Sequence, residues 1–253
     1  MRISFFLLMS LLAGLASCGP DGAKSGVTSA MNNSAAPDTA ADATTESLKL
    51  DDQTAPAFLR RYAKEHPENQ VVMKTELGDI KVRLYDDTPI HRANLLWLIE
   101  NDDFPQCAFY RIIKGYMIQA GNIGFYKTKL GKYKIPAEIK AQHFHRRGAL
   151  AMAAYEEDSV SLKSSSRDFF IVQGEVYEPR VLEALEKQEN LQLSATQREA
   201  YTTVGGAPAL DGHYTVFGEV MEGMEVVDRI AALKVDDHDW PLEDIEVTLE
   251  IVK

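Results

Sequence analysis

Residues 109–121 read FYRIIKGYMIQAG. Ile112, Ile113, Met117 and Ile118 ask for a buried sheet, yet Arg111 and Gln119 stand in the same run. Side chains alternate across a strand, so Arg111, Met117 and Gln119 share a parity opposite to that of Ile112 and Ile118. One face of such a strand fills a core while the other presents a guanidinium, a thioether and an amide to a groove. Gly115 permits a local bend that frees Tyr116 to join that groove. Taken alone, the pattern fits an edge charge with a snorkelling stem equally well.

The flanking chain supplies the rest of a sheet. VVMKTELGDIKVRLY (71–85) gives two apolar alternations broken at Gly78-Asp79, the pattern of a hairpin. TPIHRANLLWLIEND (88–102) predicts a helix, with Thr88 at the N-cap, Pro89 in the first turn and Leu95, Leu98 and Ile99 as its stripe. RRGALAMAAY (146–155) and DFFIVQ (168–173) are short apolar runs that suit buried strands. YTVFGEV (214–220) is a further strand and GMEVVDRIAAL (223–233) a second helix. The chain closes with Ile245, Val247, Leu249 and Ile251 alternating with Glu246, Thr248 and Glu250. Strands at both ends of a domain with two helices between them predict a mostly β, closed sheet whose open ends the helices plug. Ahead of it, APAFLRRYAKEH (55–66) predicts a short helix with Phe58, Leu59 and Tyr62 on one stripe, stopped by Pro67.

The first residues read as an address. MRISFFLLMSLLAGLASC has one charge, Arg2, then an apolar stretch to Leu15 and the small residues Ala16 and Ser17 before Cys18. That is the layout of a signal peptide over residues 1–17, too short for a transmembrane span. Leu15-Ala16-Ser17-Cys18 also resembles the bacterial lipobox, which implies cleavage before Cys18 and its lipidation. Residues 18–50, poor in large apolar groups, then form a flexible tether, 51–68 the short helix and 69–253 the main domain. Gly19 after Cys18 lacks the Asp that retains some lipoproteins at the inner membrane. The expected location is therefore the outer membrane, facing the periplasm. A net charge of −11 argues against general nucleic-acid binding, and two cysteines cannot build a disulfide framework.

Five segments in order resemble the cyclophilins, a family of peptidyl-prolyl cis/trans isomerases. TPIHRANLLWLI resembles the first helix of that family, and FYRIIKGYMIQAGN its F-H-R-V-I-x-G-F-M-I-Q-G-G-D signature. IPAEI with FHRRGALAMA resembles the central strands, and SSSRDFFIVQG the S-S-G-S-Q-F-F-I run. GGAPALDGHYTVFGEVMEGMEVVDRI resembles L-D-G-x-x-x-V-F-G and the second helix. The resemblance implies an eight-stranded antiparallel barrel capped by two helices, acting as a monomer without cofactor or metal on proline-containing, unfolded or exported polypeptides. It implies Arg111 as the catalytic donor and Gln119 as the group that holds the substrate backbone. It implies Tyr116, Met117, Phe170 and Leu210 as the proline pocket, with Ala153, Ala154, Asp168 and Tyr214 along the groove.

The departures matter. Tyr116 stands where the family usually has Phe, which adds a hydroxyl that needs a partner. Asp168 replaces the usual Gln; it cannot donate, and Arg167 or Arg111 is its expected partner. Ala209 and Tyr214 replace the Trp and His of many eukaryotic members, which implies weak cyclosporin binding. Residues 176–204 form an insertion. VLEALEKQEN predicts a helix with Val181, Leu182 and Leu185 on its stripe, and Ser194 with Gln197 a capping box that opens a second. The insertion reads as surface decoration or as a wall beside the groove. His143 and His145 are spaced to share one strand face, weak evidence for a metal, and none is expected there. Cys107 has no evident source of reactivity. Two functional classes stay open at this point: an isomerase of exported proteins, and a proline-segment binding or chaperone module with little turnover. A third possibility is an envelope interaction protein that uses the acidic insertion.

Overall fold

The computed structural model describes residues 48–123 and 128–252. The leader, Cys18 and nearly all of the tether lie outside the described residues. Eleven strands and five α-helices follow one another among those described. They are α1 (Ala55–Glu65), β1 (Gln70–Thr75), β2 (Gly78–Leu84), α2 (Pro89–Glu100), β3 (Cys107–Ile113), β4 (Met117–Asn122), β5 (Lys134–Ile135), β6 (Ala149–Met152), β7 (Ser164–Ser165), β8 (Phe169–Val172), α3 (Pro179–Gln188), α4 (Ala195–Thr203), β9 (Val216–Glu222), α5 (Met224–Ala231), β10 (Ile245–Glu246) and β11 (Thr248–Ile251).

Nine strands make one nearly closed antiparallel barrel in the order β10-β3-β4-β8-β6-β9-β2-β1-β11, and β5 pairs separately with β7. The expected count was eight. The difference lies in the final strand: β10 pairs with β3 while β11 pairs with β1. The alternating stretch read as one strand breaks at Val247, and its two halves serve the two edges of the sheet. Closure in this way leaves little open edge for another chain to pair with.

The opening stretch proves to be two strands. Ile113, Lys114, Gly115 and Tyr116 form a tight turn closed by Tyr116 N–H to Ile113 O at 3.0 Å, with Gly115 at φ +78°. That is the conformation that favours glycine at the third turn position. Across the hairpin Arg111 faces Gln119, Ile112 faces Ile118 and Ile113 faces Met117, and a register shift between Phe109 and Arg111 leaves Tyr110 as a bulge. Arg111 and Gln119 share a face as cross-strand partners, not by parity along one strand. The first hairpin also differs from expectation. Its break falls at Glu76-Leu77, and Gly78 already pairs with Thr75.

The barrel interior gathers Val71, Met73, Ile80, Val82, Ile112, Ile118, Leu150, Phe169, Ile171 and Phe217. Residues of β6 and β8 are buried throughout. Leu150, Phe169 and Ile171 face inward, whereas Ala149, Ala151, Phe170 and Val172 belong to a second apolar cluster. Two buried faces explain why these strands read as unbroken apolar runs. Helices α2 and α5 add Leu95, Leu96, Val226, Val227 and Ile230 to the barrel core. The stripe of α2 is broader than predicted, since Leu96 is buried and Ile99 only partly so. Thr88 sits at the N-cap of α2, but its side chain makes no cap. Glu138, far along the chain, accepts from Ile90 and His91 N–H at 3.1 and 2.9 Å instead, placing a carboxylate where the helix dipole favours one.

Helix α1 packs into the same core through Ala55, Leu59, Tyr62 and Ala63, while Phe58 meets Trp97 edge-on at 4.8 Å. Arg92 of α2 reaches back to His66 O and Glu68 O at 2.8 and 3.0 Å. The inserted helices are α3 and α4. Ser194 and Gln197 form the predicted capping box. On α3, however, only Leu182 of the predicted stripe is fully buried; Val181 is exposed and Glu186 takes the second inward place.

Candidate active site

The second apolar cluster lies outside the barrel. Met117, Ala151, Ala153, Phe170, Val216 and neighbours form a buried floor, and Tyr116, Leu210 and Tyr214 pack partly buried around it. Every residue expected to line the proline pocket is therefore brought together. Phe170 meets the Tyr214 ring edge-on at 5.6 Å, a favourable aromatic geometry. Tyr116 is oriented by its turn. Gly115 N–H donates to Gln173 Oε1 at 2.6 Å, and Tyr116 O accepts from Gln173 and Gly174 N–H, both at 3.1 Å. Burial pushes the Tyr116 phenol up to about 12, so it stays neutral.

Beside this pocket stand Arg111 and Gln119, paired across the hairpin. The Arg111 side chain is 47 % exposed. Gln119 Nε2 donates to the hydroxyl of the bulged Tyr110, which in turn donates to Asp168 Oδ1 at 3.3 Å. Asp168 also accepts from Ser165 Oγ at 2.7 Å and from Tyr155 Oη at 3.1 Å. Neither expected partner is used: three hydroxyl donors satisfy the carboxylate that replaces the family amide. A Cβ on Gly121 would lie 2.3 Å from Asp168 Oδ1, so the glycine makes room for it. Arg167 turns away into a buried ion pair with Asp103. Ala153 fixes the floor, donating to Asp168 O at 2.8 Å and accepting from Ser165 N–H at 2.7 Å, and Ala154 follows it half-buried.

Two further groups organise the site from behind. His145 is buried, lies parallel to Phe170 at 5.9 Å, and is held through Nδ1 by Asp211 Oδ1 at 3.0 Å. The same oxygen accepts from His145 N–H at 2.9 Å, while Asp211 Oδ2 accepts from Tyr201 Oη at 2.6 Å and Gln197 Nε2 at 2.9 Å. One carboxylate thus ties α4 of the insertion to the residue after Leu210. His143 instead stacks on Tyr85 and bonds Asp87 at 2.7 Å. The two histidines go to different partners, and residues 143–145 lie outside the strands. Among the described residues no cluster of three or more metal-ligating side chains forms. Cys107 is packed, and burial pushes its thiol up to about 12. Sequence reasoning missed Tyr110, Tyr155 and Asp211, and weighed His145 only as a metal ligand. The bulge that turns Tyr110 toward Gln119 leaves no local signal.

A nearly closed antiparallel barrel with an arginine–glutamine pair beside an outer apolar pocket defines a barrel of the cyclophilin class. Residues 70–250 match the family model described as cyclophilin type peptidyl-prolyl cis-trans isomerase/CLD, and the chain belongs to that family. A peptidyl-prolyl cis-trans isomerase-like 3 of Dictyostelium discoideum is 31 % identical over 180 residues, covering 69 % of this chain and 89 % of that protein. A Staphylococcus saprophyticus protein that carries the name of a peptidyl-prolyl cis-trans isomerase is 30 % identical over 192 residues, covering 74 % and 93 %. Among solved structures, a Cryptosporidium parvum cyclophilin type isomerase crystallised in the presence of the dipeptide Ala-Pro superposes with a TM-score of 0.54. It is 22 % identical and covers 73 % of this chain and 99 % of that one, which supports the fold. The protein is a peptidyl-prolyl cis-trans isomerase.

Proposed function

We propose that Arg111 catalyses the rotation electrostatically and that the enzyme serves the folding of exported proteins from a lipid anchor. An Xaa-Pro bond resists rotation because its nitrogen lone pair is delocalised, with a peptide barrier of about 18–20 kcal/mol. Twisting the bond localises that lone pair. A donor aimed at the nitrogen then binds the twisted state better than either planar isomer, which is differential binding of a transition state. The observation that carries the reading is the half-exposed Arg111 beside the pocket of Met117, Phe170 and Leu210, with Gln119 opposite it on the hairpin. The pocket takes the proline ring, Gln119 holds the substrate backbone, and the guanidinium is the preorganised charge. No nucleophile or cofactor is needed for a step that breaks no bond. The placement in the envelope rests on the apolar leader and on Leu15-Ala16-Ser17-Cys18. Cis/trans exchange of an Ala-Pro tetrapeptide, followed by NMR with the full chain, tests the mechanism. Acceleration that Arg111→Ala removes is expected; equal acceleration by Arg111→Ala would refute the electrostatic role.

A further inference from the structure

An acid does reach Arg111, from a loop 128 positions away and not from the neighbouring strand. Asp239 Oδ2 lies 3.6 Å from Arg111 Nε, and Asp239 O accepts from Ile112 N–H at 2.8 Å. One residue thus meets both the guanidinium and the backbone that carries it. Asp239 adopts φ +64°, a conformation that Asp and Asn tolerate better than other side chains. Its turn is locked. Asp236 Oδ1 accepts from His238 and Trp240 N–H at 2.8 and 3.0 Å, and Asp239 N–H donates to Asp236 O at 3.2 Å. Val235 and Pro241 pair across its base. Trp240 packs on Tyr110, the bulged residue before Arg111, at 5.7 Å. Gln119 Nε2 meanwhile donates one hydrogen to the Tyr110 hydroxyl. Among the described residues, Asp239 is the only carboxylate ion-paired with Arg111.

We propose that Asp239 is the positioning residue for Arg111, holding the Nε edge of the guanidinium so that the Nη edge faces the groove. This rests on the electrostatic reading of Arg111. A guanidinium is a planar fork; an ion pair at 3.6 Å on its Nε side draws that edge toward the loop and leaves the other toward the groove. The two side chains are 47 % and 42 % exposed, so the pair adds little to stability. Its effect is on orientation, where small misplacements cost rate steeply.

The test compares kcat and KM for the Ala-Pro tetrapeptide with the full chain, Asp239→Asn, Asp239→Gly, Arg111→Ala, and Asp239→Asn combined with Arg111→Ala. Asn and Gly both accept the positive φ, so the turn survives, as circular dichroism will verify. Both Asp239 variants are expected to lose about tenfold in kcat with KM changed less than about twofold. The Arg111 15Nε resonance should move to the position of solvent-exposed arginines. Adding Asp239→Asn to Arg111→Ala should have no further effect. Unchanged or increased kcat in both Asp239 variants, with Arg111→Ala inactive, would overturn the positioning role and leave the catalytic reading standing. Wild-type activity in Arg111→Ala would overturn both.

Discussion

The buried pair of Asp103 and Arg167 supports the active site from behind, and removing one partner should expose that dependence. The two side chains are 1 % and 6 % exposed. Arg167 Nε donates to Asp103 Oδ2 at 2.9 Å, Nη1 to Ser166 Oγ at 2.9 Å and Nη2 to Gly131 O at 2.9 Å. Asp103 also accepts from Lys129 N–H at 3.0 Å. Asp103→Ala leaves a guanidinium buried without its charge partner, at a cost of about 3–5 kcal/mol. Domains are stable by about 5–15 kcal/mol, so this single change removes a large share. With a urea slope on the order of 2.5 kcal/mol per molar, the unfolding midpoint should fall by roughly 1–2 M. Asp103→Leu with Arg167→Met removes both charges and should recover most of the loss. Chemical denaturation of wild type, Asp103→Leu, Arg167→Met and the double variant, the four corners of one cycle, gives the coupling directly. A fall below about 1 kcal/mol for Asp103→Ala would refute the claim that the pair is sealed from water. Activity should fall with stability, because Arg167 precedes Asp168. The same segment is held from α2 by His91 to Ser164 Oγ at 3.0 Å and by Asn94 to Ser166 O at 2.7 Å.

Two other outcomes are expected. Burial pushes the His145 imidazole below its ordinary pKa, only partly opposed by Asp211. The unfolded chain then binds the proton more readily, so stability is full above about pH 6.5 and falls as pH drops below it, by up to about 1.4 kcal/mol per unit. Urea midpoints measured from pH 7.5 to 5 should show this slope, and His145→Phe should flatten it; equal slopes would refute the assignment. In the envelope, mass spectrometry of the mature protein should find Cys18 acylated as the new N-terminal residue. Cys18→Ser should be released from the membrane fraction, and an unmodified Cys18 would refute the anchor.

Much of the fold was legible because local chemistry and tertiary role coincide. The capping box of α4 and the proline at the start of α2 mean the same thing in sequence and in space; the alternation after Ile245 gives the buried face but not the break at Val247. The pocket residues were legible through order along the chain, since Met117, Phe170 and Leu210 keep their places among familiar neighbours. What failed was what depends on distant partners. Lys114-Gly115-Tyr116 carries none of the usual two-residue hairpin signals, so two strands read as one. Asp168 looked like a partner for the adjacent arginine, but the barrel offered three hydroxyls closer to it. Glu138 replaced Thr88 as the cap of α2 across nearly fifty residues. Asp239 could not be read at all, because only closure of the barrel carries its loop to Arg111.

Asp211 has a consequence for how the inserted helices can be studied. The segment leaves and rejoins the barrel at the paired residues Glu175 and Gly206, which makes it look like an appendage that a short linker could replace. Yet its Tyr201 and Gln197 occupy one oxygen of the carboxylate whose other oxygen steadies His145 beneath Phe170. Excision would leave that oxygen bare and loosen a ring that lines the apolar pocket. A truncated enzyme with altered turnover would therefore say nothing about clients captured by the outer helices. Their role has to be asked through exposed residues such as Val181, which makes none of the bonds to the shared carboxylate.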